Sequence, residues 1–454
     1  LGFEIRRHNQ IIAFKNAGFE PVALHAHNLE VAEISEELWR WMPKVNWSQS
    51  GQVAGVMNSP VGLELEAWNQ ELDPLTEDQF TPPGIRRITL NMTQICNLHC
   101  NYCAAGGDGS YGDPITRISI ERTIPQLRFL IDKIPEGGAF HITFLGGEPL
   151  LYPQGIALIG SYVQEKCKQG KITPSFSITT NGTLLSEENV RILENLQCNI
   201  TISVDGPGEI NDRVRPQKNG ESGTLSLLEG LESLAARRKS GAFWGRIGLH
   251  GVFSEENMEI KKAYEFYSSL PVDSFEFTYG VTSSDPELSY QYMAQMEEVA
   301  ALAFAKGRAQ ELCRIGNFAG FYAALENQIR ISNHCGIGKN FLMIDSRNRF
   351  FTCPWEVGNN EEMVGQDTFL DKNKLDDYKE SLIERNHCHS CWARFLCGGG
   401  CNYIHKAKTK LRGQKDTHFC ERTRHLVALT VHYFRLQKQH ETREEKYEEH
   451  TNSN

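Results

Sequence analysis

The stretch QICNLHCNYCAA, residues 94–105, holds Cys96, Cys100 and Cys103 with three and then two residues between them. A structural zinc site takes four ligands and closes. Three ligands on one tight loop leave a coordination position for something else. Thiolates are the usual ligands of iron–sulfur clusters, and three of them can hold three irons of a four-iron cube while the fourth iron stays open. A small molecule with an amine and a carboxylate can chelate that iron. A zinc site, or incidental thiols, is the competing reading.

The loop follows a short strand, and the pattern repeats. IRRITLNM (85–92), FHITFLGG (140–147), SFSITTNG (175–182), NITISVDG (199–206), RIGLHGVF (246–253) and SFEFTYG (274–280) read as strands. Amphipathic stretches such as ISIERTIPQLRFLIDKI (118–134) and LSEENVRILENL (185–196) read as helices between them. Alternating strands and helices argue a parallel sheet. Six units make an α/β partial (β/α)6 barrel, short of the full eight. Chemistry in such folds sits at the strand C-terminal ends. The cysteines, the Gly-Gly-Glu-Pro run, an Asn-Gly and an Asp-Gly follow the first four strands in turn.

Around this core the chain divides by texture. Residues 1–84 form a separate N-terminal segment, in which PVALHAHNLEVAEIS reads as strands and EELWRWM as a helix. DQFTPPGI (78–85) reads as a linker. The barrel spans 85–310, a bridging and cysteine-rich region 311–425, and a helix with a charged tail 426–454. Cysteine-rich segments with little periodicity need metals or crosslinks in place of a core.

The chain has 454 residues, 13 cysteines and a net charge of −10. That length calls for two or three domains. The acidic balance, with no Lys/Arg stripe, argues against nucleic acid. No run of about 18 apolar residues appears, so no membrane span is expected. The opening LGFEIRRHNQ lacks the apolar core of an export signal. Many cysteines without such a signal point to a reducing, cytoplasmic setting, where clustered thiols bind metals rather than form disulfides.

CNLHCNYC has the C-x3-C-x2-C spacing of radical S-adenosylmethionine (SAM) enzymes, and the chain resembles that family over roughly 85–425. The resemblance implies a SAM-binding [4Fe–4S] cluster on Cys96, Cys100 and Cys103. It also implies that Gly146, Gly147 and Glu148 of FLGGEPLL bind the SAM amino group. Tyr102 looks like the aromatic beside the adenine. Ser177, Thr179, Asn181, Ser203 and Asp205 match strand ends facing the ribose and methionyl parts, and Arg215 resembles an arginine pairing with the SAM carboxylate. A turn or capping role is the alternative reading of Thr179, Asn181 and Asp205.

The second constellation is Cys335, Cys353, Cys388, Cys391, Cys397, Cys401 and Cys420. The run C-x2-C-x5-C-x3-C with a later cysteine resembles the SPASM extension of radical SAM peptide-modifying enzymes, which holds two auxiliary [4Fe–4S] clusters. By resemblance Cys388, Cys391, Cys397 and Cys420 hold the distal one, and Cys335, Cys353 and Cys401 three corners of the nearer one. Cys313 is the candidate fourth ligand there; otherwise that iron is open. Zinc ribbons are the alternative. Asn348 stands where the motif normally has Gly, a mild departure because Asn tolerates a left-handed turn. Cys167 and Cys198 read as packing thiols.

What the family resemblance implies is a peptide maturase. It would use a 5′-deoxyadenosyl radical to crosslink a ribosomally made precursor, through a carbon–carbon cyclophane or a thioether. An electron donor such as flavodoxin or ferredoxin would serve it. The N-terminal segment would be a winged-helix-like module that grips the precursor's leader as an added strand, or else a structural cap. A sulfatase maturase, which makes formylglycine, is the rival enzyme. That group carries an Asp after the cysteine matching Cys353, where this chain has Pro354. A non-catalytic metal scaffold is the rival outside enzymes, and the Gly-Gly-Glu-Pro segment argues against it.

Overall fold

The computed structural model describes residues 2–16, 19–46, 60–70, 76–77, 84–103, 117–281 and 285–452. Most of the expected linker lies outside the described residues. Contacts gather the chain into two units: one of Leu1–Gln79, Ser284–Cys335 and Glu380–Asn454, the other of Phe80–Ser283 and Gly336–Lys379. The four segments expected from the sequence do not coincide with these units. The N-terminal segment shares its unit with the helical 285–330 region and the C-terminal helix.

In the first unit, β1 (Phe3–His8), β2 (Ile11–Asn16), β3 (Val22–His25), β4 (Val31–Glu33) and β5 (Lys44–Val45) form an antiparallel sheet in the order β4-β3-β2-β1-β5. The sequence reading found β3, β4 and the helix Glu36–Trp41, but not the β1–β2 hairpin. Ser35 caps that helix by accepting from the Leu38 amide. Ile11, Ala13 and Ala23 of the sheet bury against Leu38, Trp39 and Leu65. Phe3 stands edge-on to His425 and His432 of the long helix Thr417–Asn452, and Glu33 pairs with Arg435 of that helix. A short parallel pair, β6 (Thr76–Glu77) with β13 (Ile329–Arg330), belongs to the same unit.

The second unit is built on a ten-stranded mixed sheet. β7 (Arg87–Asn91), β8 (Ala139–Leu145), β9 (Thr173–Thr180), β10 (Asn199–Ser203), β11 (Ile247–Phe253) and β12 (Ser274–Tyr279) lie side by side in chain order, all parallel. These are the six strands of the expected barrel. The sheet continues past β7 with β14 (Phe341–Ile344), β15 (Arg349–Phe351), β16 (Met363–Gln366) and β17 (Phe369–Leu370), drawn from the region expected to bridge. The β14–β15 turn holds Asn348 at φ 61°, so the Gly-to-Asn departure does fall on a left-handed position. Its side-chain amide donates to Thr123 and Gln126, which fixes the turn.

The strands of this sheet are apolar on one face only. Phe140, Ile142, Phe144, Phe176, Ile178, Ile200, Ile202 and Leu249 are buried on one face. His141, Thr143, Ser177, Thr179, Thr201, Ser203 and His250 alternate with them and are only partly covered. One face is core and the other is a half-open polar surface, which suits a polar ligand.

Candidate functional site

The cysteine loop is held from two sides. The amides of His99 and Asn101 donate to the carbonyls of Pro216 and Val214, and the Lys218 amide to Asn97. On the other side Gly147 N donates to Thr93 O at 2.7 Å and Glu148 N to Ile95 O at 2.9 Å. A Cβ on Gly147 would lie 2.4 Å from the Ile95 carbonyl oxygen, and one on Gly146, at φ 156°, 2.4 Å from that of Thr93. The two glycines therefore let the end of β8 approach the cysteine loop itself.

Glu148 is 0% exposed. Its carboxylate accepts from Thr180 Oγ1 (2.7 Å), Asn181 N (2.7 Å) and Leu150 N (3.0 Å). Burial pushes its pKa up to about 7, against the pull of those donors. The side chain ties the ends of β8 and β9 together. Thr180, its side-chain donor, points to the opposite face from Ser177 and Thr179, so the strand-end pattern does not mark it.

Asn181 Nδ2 donates to Cys96 Sγ (3.7 Å) and Asn97 Oδ1 (2.9 Å), while Oδ1 accepts from Thr183. The Leu98 amide also donates to Cys96 Sγ, at 3.4 Å. Burial raises the Cys96 thiol to about 11. Cys100 is raised too, by burial first, with Arg215 pulling it down and Cys103 and Asp205 pushing it up.

Asp205 and Arg215 are both buried and pair bidentately. The Tyr102 hydroxyl donates to the same carboxylate, and its ring lies 5.3 Å from the guanidinium carbon. The Val252 amide donates to Asp205 at 2.9 Å. Tyr102 and Arg215 are thus brought together beside Cys100. The fork expected to meet a SAM carboxylate is turned on Asp205. Ser177, Thr179 and Ser203 lie on the polar face, as does His250, which donates to or accepts from Thr278 at 2.9 Å. Strict alternation in IGLHGVF was the signal that would have singled His250 out.

Residues 90–266 match the model of the Radical SAM superfamily. The serine-type anaerobic sulfatase-maturating enzyme of Klebsiella aerogenes is 30% identical over 365 residues, covering 75% of this chain and 85% of that protein. The chain belongs to the radical SAM superfamily. Two solved structures share the fold of this radical SAM enzyme. Native anSMEcpe with bound AdoMet has a TM-score of 0.63 at 16% identity, over 77% of this chain and 98% of that one. Streptococcus suis SuiB bound to precursor peptide SuiA has a TM-score of 0.51 at 16% identity, over 91% of this chain and 99% of that one.

Membership implies SAM and a [4Fe–4S] cluster, and the residues fit both. Three thiols stand on one loop, with N–H donors aimed at Cys96 and a polar strand face beside it. Among the described residues no group of three or more His, Cys, Asp or Glu side chains is gathered tightly enough to share a single ion.

The four cysteines that the sequence resemblance assigns to a distal auxiliary cluster all lie in the first unit. Cys388, Cys391, Cys397 and Cys420 line one cavity of about 230 Å³. Burial raises Cys388 to about 11 and Cys420 to about 12, and Cys397 well above its ordinary value, with the other thiols adding to the effect on Cys397. Gly398, Gly399 and Gly400 all have positive φ (64°, 84° and 77°) and thread the chain past His334 and Leu382 to reach Cys401. Cys401 is raised to about 11 by burial and feels Cys335. Cys353 belongs to the second unit, where it opens the turn Pro354–Glu356 after β15. Cys313 ends the helix Pro286–Leu312, where burial and Glu326 raise it to about 11. Its electrostatic neighbours include Glu326 and Tyr322. Cys167 and Cys198 are fully buried packing residues. Among the described residues no helix is long and apolar enough to cross a membrane.

Proposed function

We propose that this radical SAM enzyme oxidises a ribosomally made precursor peptide and closes a side-chain crosslink in it, as a cyclophane or a thioether. When bound, the cluster and SAM supply one-electron cleavage to methionine and a 5′-deoxyadenosyl radical, which takes a hydrogen atom from the substrate. Cys96, Cys100 and Cys103 would hold that cluster. Gly146 and Gly147 set the distance between the β8 end and the cysteine loop, and Asn181 and the Leu98 amide hold the Cys96 sulfur. The Tyr102–Asp205–Arg215 network fixes the aromatic next to Cys103. Ser177, Thr179 and Ser203 offer hydroxyls to the ribose and methionyl parts.

Crosslinking removes two hydrogens from the peptide. One leaves as a hydrogen atom to form 5′-deoxyadenosine; the other leaves as a proton, and one electron must go elsewhere. Auxiliary clusters on the two cysteine sets would take it, and flavodoxin or ferredoxin would supply the electron for SAM cleavage. The N-terminal sheet, with β4 and β5 at its edges, would hold the leader as an added strand.

The observation that carries this reading over formylglycine formation is Pro354. It stands directly after Cys353, where a proton-accepting Asp is expected in sulfatase maturases, and it can accept no proton. The similarity to the Klebsiella aerogenes enzyme favours the second reading, oxidation of one Ser or Cys to formylglycine. Incubation with a candidate precursor separates them. A crosslinked product gives a fragment-resistant span and no hydrazide-reactive aldehyde; formylglycine gives the reverse.

A further inference from the structure

Three buried arginines converge on the distal cysteine set from three different elements. Arg7, in β1, is 1% exposed, and its Nη1 donates to Ser390 O at 3.1 Å. Arg394, in the turn Arg394–Cys397, is 7% exposed and donates to Cys391 O at 3.1 Å and to Gln10 Oε1 at 3.3 Å. Arg424, in the helix Thr417–Asn452, is 8% exposed and hydrogen-bonds the Cys391 side chain. Arg394 and Arg424 line the cavity of the four cysteines. Lys415 and Glu421 also line it, with opposite charges that offset each other.

Burying a guanidinium is costly unless negative charge lies nearby. Burial lowers Arg7 to about 10 even though Cys391 pulls it up, with Arg394 and Arg424 opposing it further. Burial works against Arg424 too, but Cys391, Cys420 and Cys397 outweigh it and raise it. A four-thiolate cluster is an anion, and it gains one more negative charge when it accepts an electron. Fixed cations therefore favour the reduced form over the oxidised one, and net charge and hydrogen bonds to sulfur set such potentials.

We propose that Arg7, Arg394 and Arg424 raise the reduction potential of the cluster held by Cys388, Cys391, Cys397 and Cys420, and that Arg7 makes the N-terminal sheet part of that cluster's housing. No bond changes in this step: one electron enters the cluster and no proton follows. The inference rests on reading the four cysteines as a cluster site. It makes this cluster the better electron sink and gives the N-terminal sheet a role apart from any peptide.

The test is a redox titration read by electron paramagnetic resonance on the reconstituted full chain. Cys96, Cys100 and Cys103 are replaced by Ala so that only auxiliary signals remain. Adding Cys388→Ala identifies the distal signal by its loss; if no signal is lost, the cluster reading itself fails. On the triple-Ala background with Cys388 intact, Arg7→Gln should lower the ratio of reduced to oxidised distal cluster at fixed potential about tenfold, or ~59 mV. Arg7→Lys should restore most of it, and Arg424→Gln should shift the midpoint the same way. A distal signal that is present with an unmoved midpoint in both Gln variants, or moved equally by Arg7→Lys and Arg7→Gln, overturns the proposal.

Discussion

Arg215 grips Asp205 with two parallel contacts, Nε to Oδ2 at 2.9 Å and Nη2 to Oδ1 at 3.0 Å, in a buried setting shared with the Tyr102 hydroxyl. From sequence alone, a turn role and a ligand role are equally open for Asp205. The geometry makes it the counter-ion that orients Arg215 and Tyr102 next to Cys100. Removing one partner of such a pair leaves a buried charge uncompensated, at a cost of about 3–5 kcal/mol. Asp205→Asn should show that loss in denaturant unfolding and should weaken SAM cleavage as well. A loss below about 1 kcal/mol would mean that the pair is not holding the network.

Gly147 has no room for a side chain on the Ile95 side. Gly147→Ala should push the cysteine loop away from the β8 end and reduce 5′-deoxyadenosine formation, while the auxiliary clusters keep their iron. Iron counting with a SAM-cleavage assay checks this. Full activity in the Ala variant would show that the loop yields without consequence.

His432 packs against Phe3 and Phe19 with ring centroids 5.8 Å and 4.7 Å away. Burial lowers its pKa from 6.5 to about 4. The unfolded chain therefore takes up a proton that the folded chain refuses. Stability from this group is present above about pH 6.5 and is lost as pH falls toward 4, by up to about 3 kcal/mol. His432→Leu should flatten that part of the pH–stability curve. A curve parallel to that of the parent would place the acid sensitivity elsewhere.

Cys313 sits with Tyr322 and Glu326, so we expect Cys313→Ala to leave iron content and reduced-cluster spectra unchanged. The nearer auxiliary cluster would then have an open or exchangeable iron. Loss of one cluster in that variant, with folding intact, would make Cys313 the fourth ligand.

Much of this was legible in the sequence. The six strands from β7 to β12 could be read because each is short, rich in β-branched and aromatic residues, and closed by Gly, Asn or Asp. The C-x3-C-x2-C spacing marked the radical SAM loop, and Asn348 could be placed at a left-handed turn. Other features depend on contacts far apart in the chain. Glu148 meets Thr180 across 32 positions, and Arg7 meets Ser390 across 383. No local pattern encodes either. The β1–β2 hairpin has a weak local signal because RRHNQ interrupts its apolar run, although Asn9 at φ 50° supplies the turn. The strands β14 to β17 were hidden because they are only two to four residues long and pair with β7 or each other.

The central claim is oxidative crosslinking of a peptide by radical SAM chemistry. The most direct measurement takes the reconstituted enzyme, SAM, a reductant and a short peptide encoded beside its gene, and follows peptide and 5′-deoxyadenosine by mass spectrometry. The account predicts a product lacking two hydrogens per crosslink, a fragment-resistant span, one 5′-deoxyadenosine per crosslink, and neither product from the Cys96, Cys100 and Cys103 triple Ala variant. A hydrazide-reactive aldehyde at a single Ser or Cys, or SAM cleavage that survives in the triple variant, would contradict it.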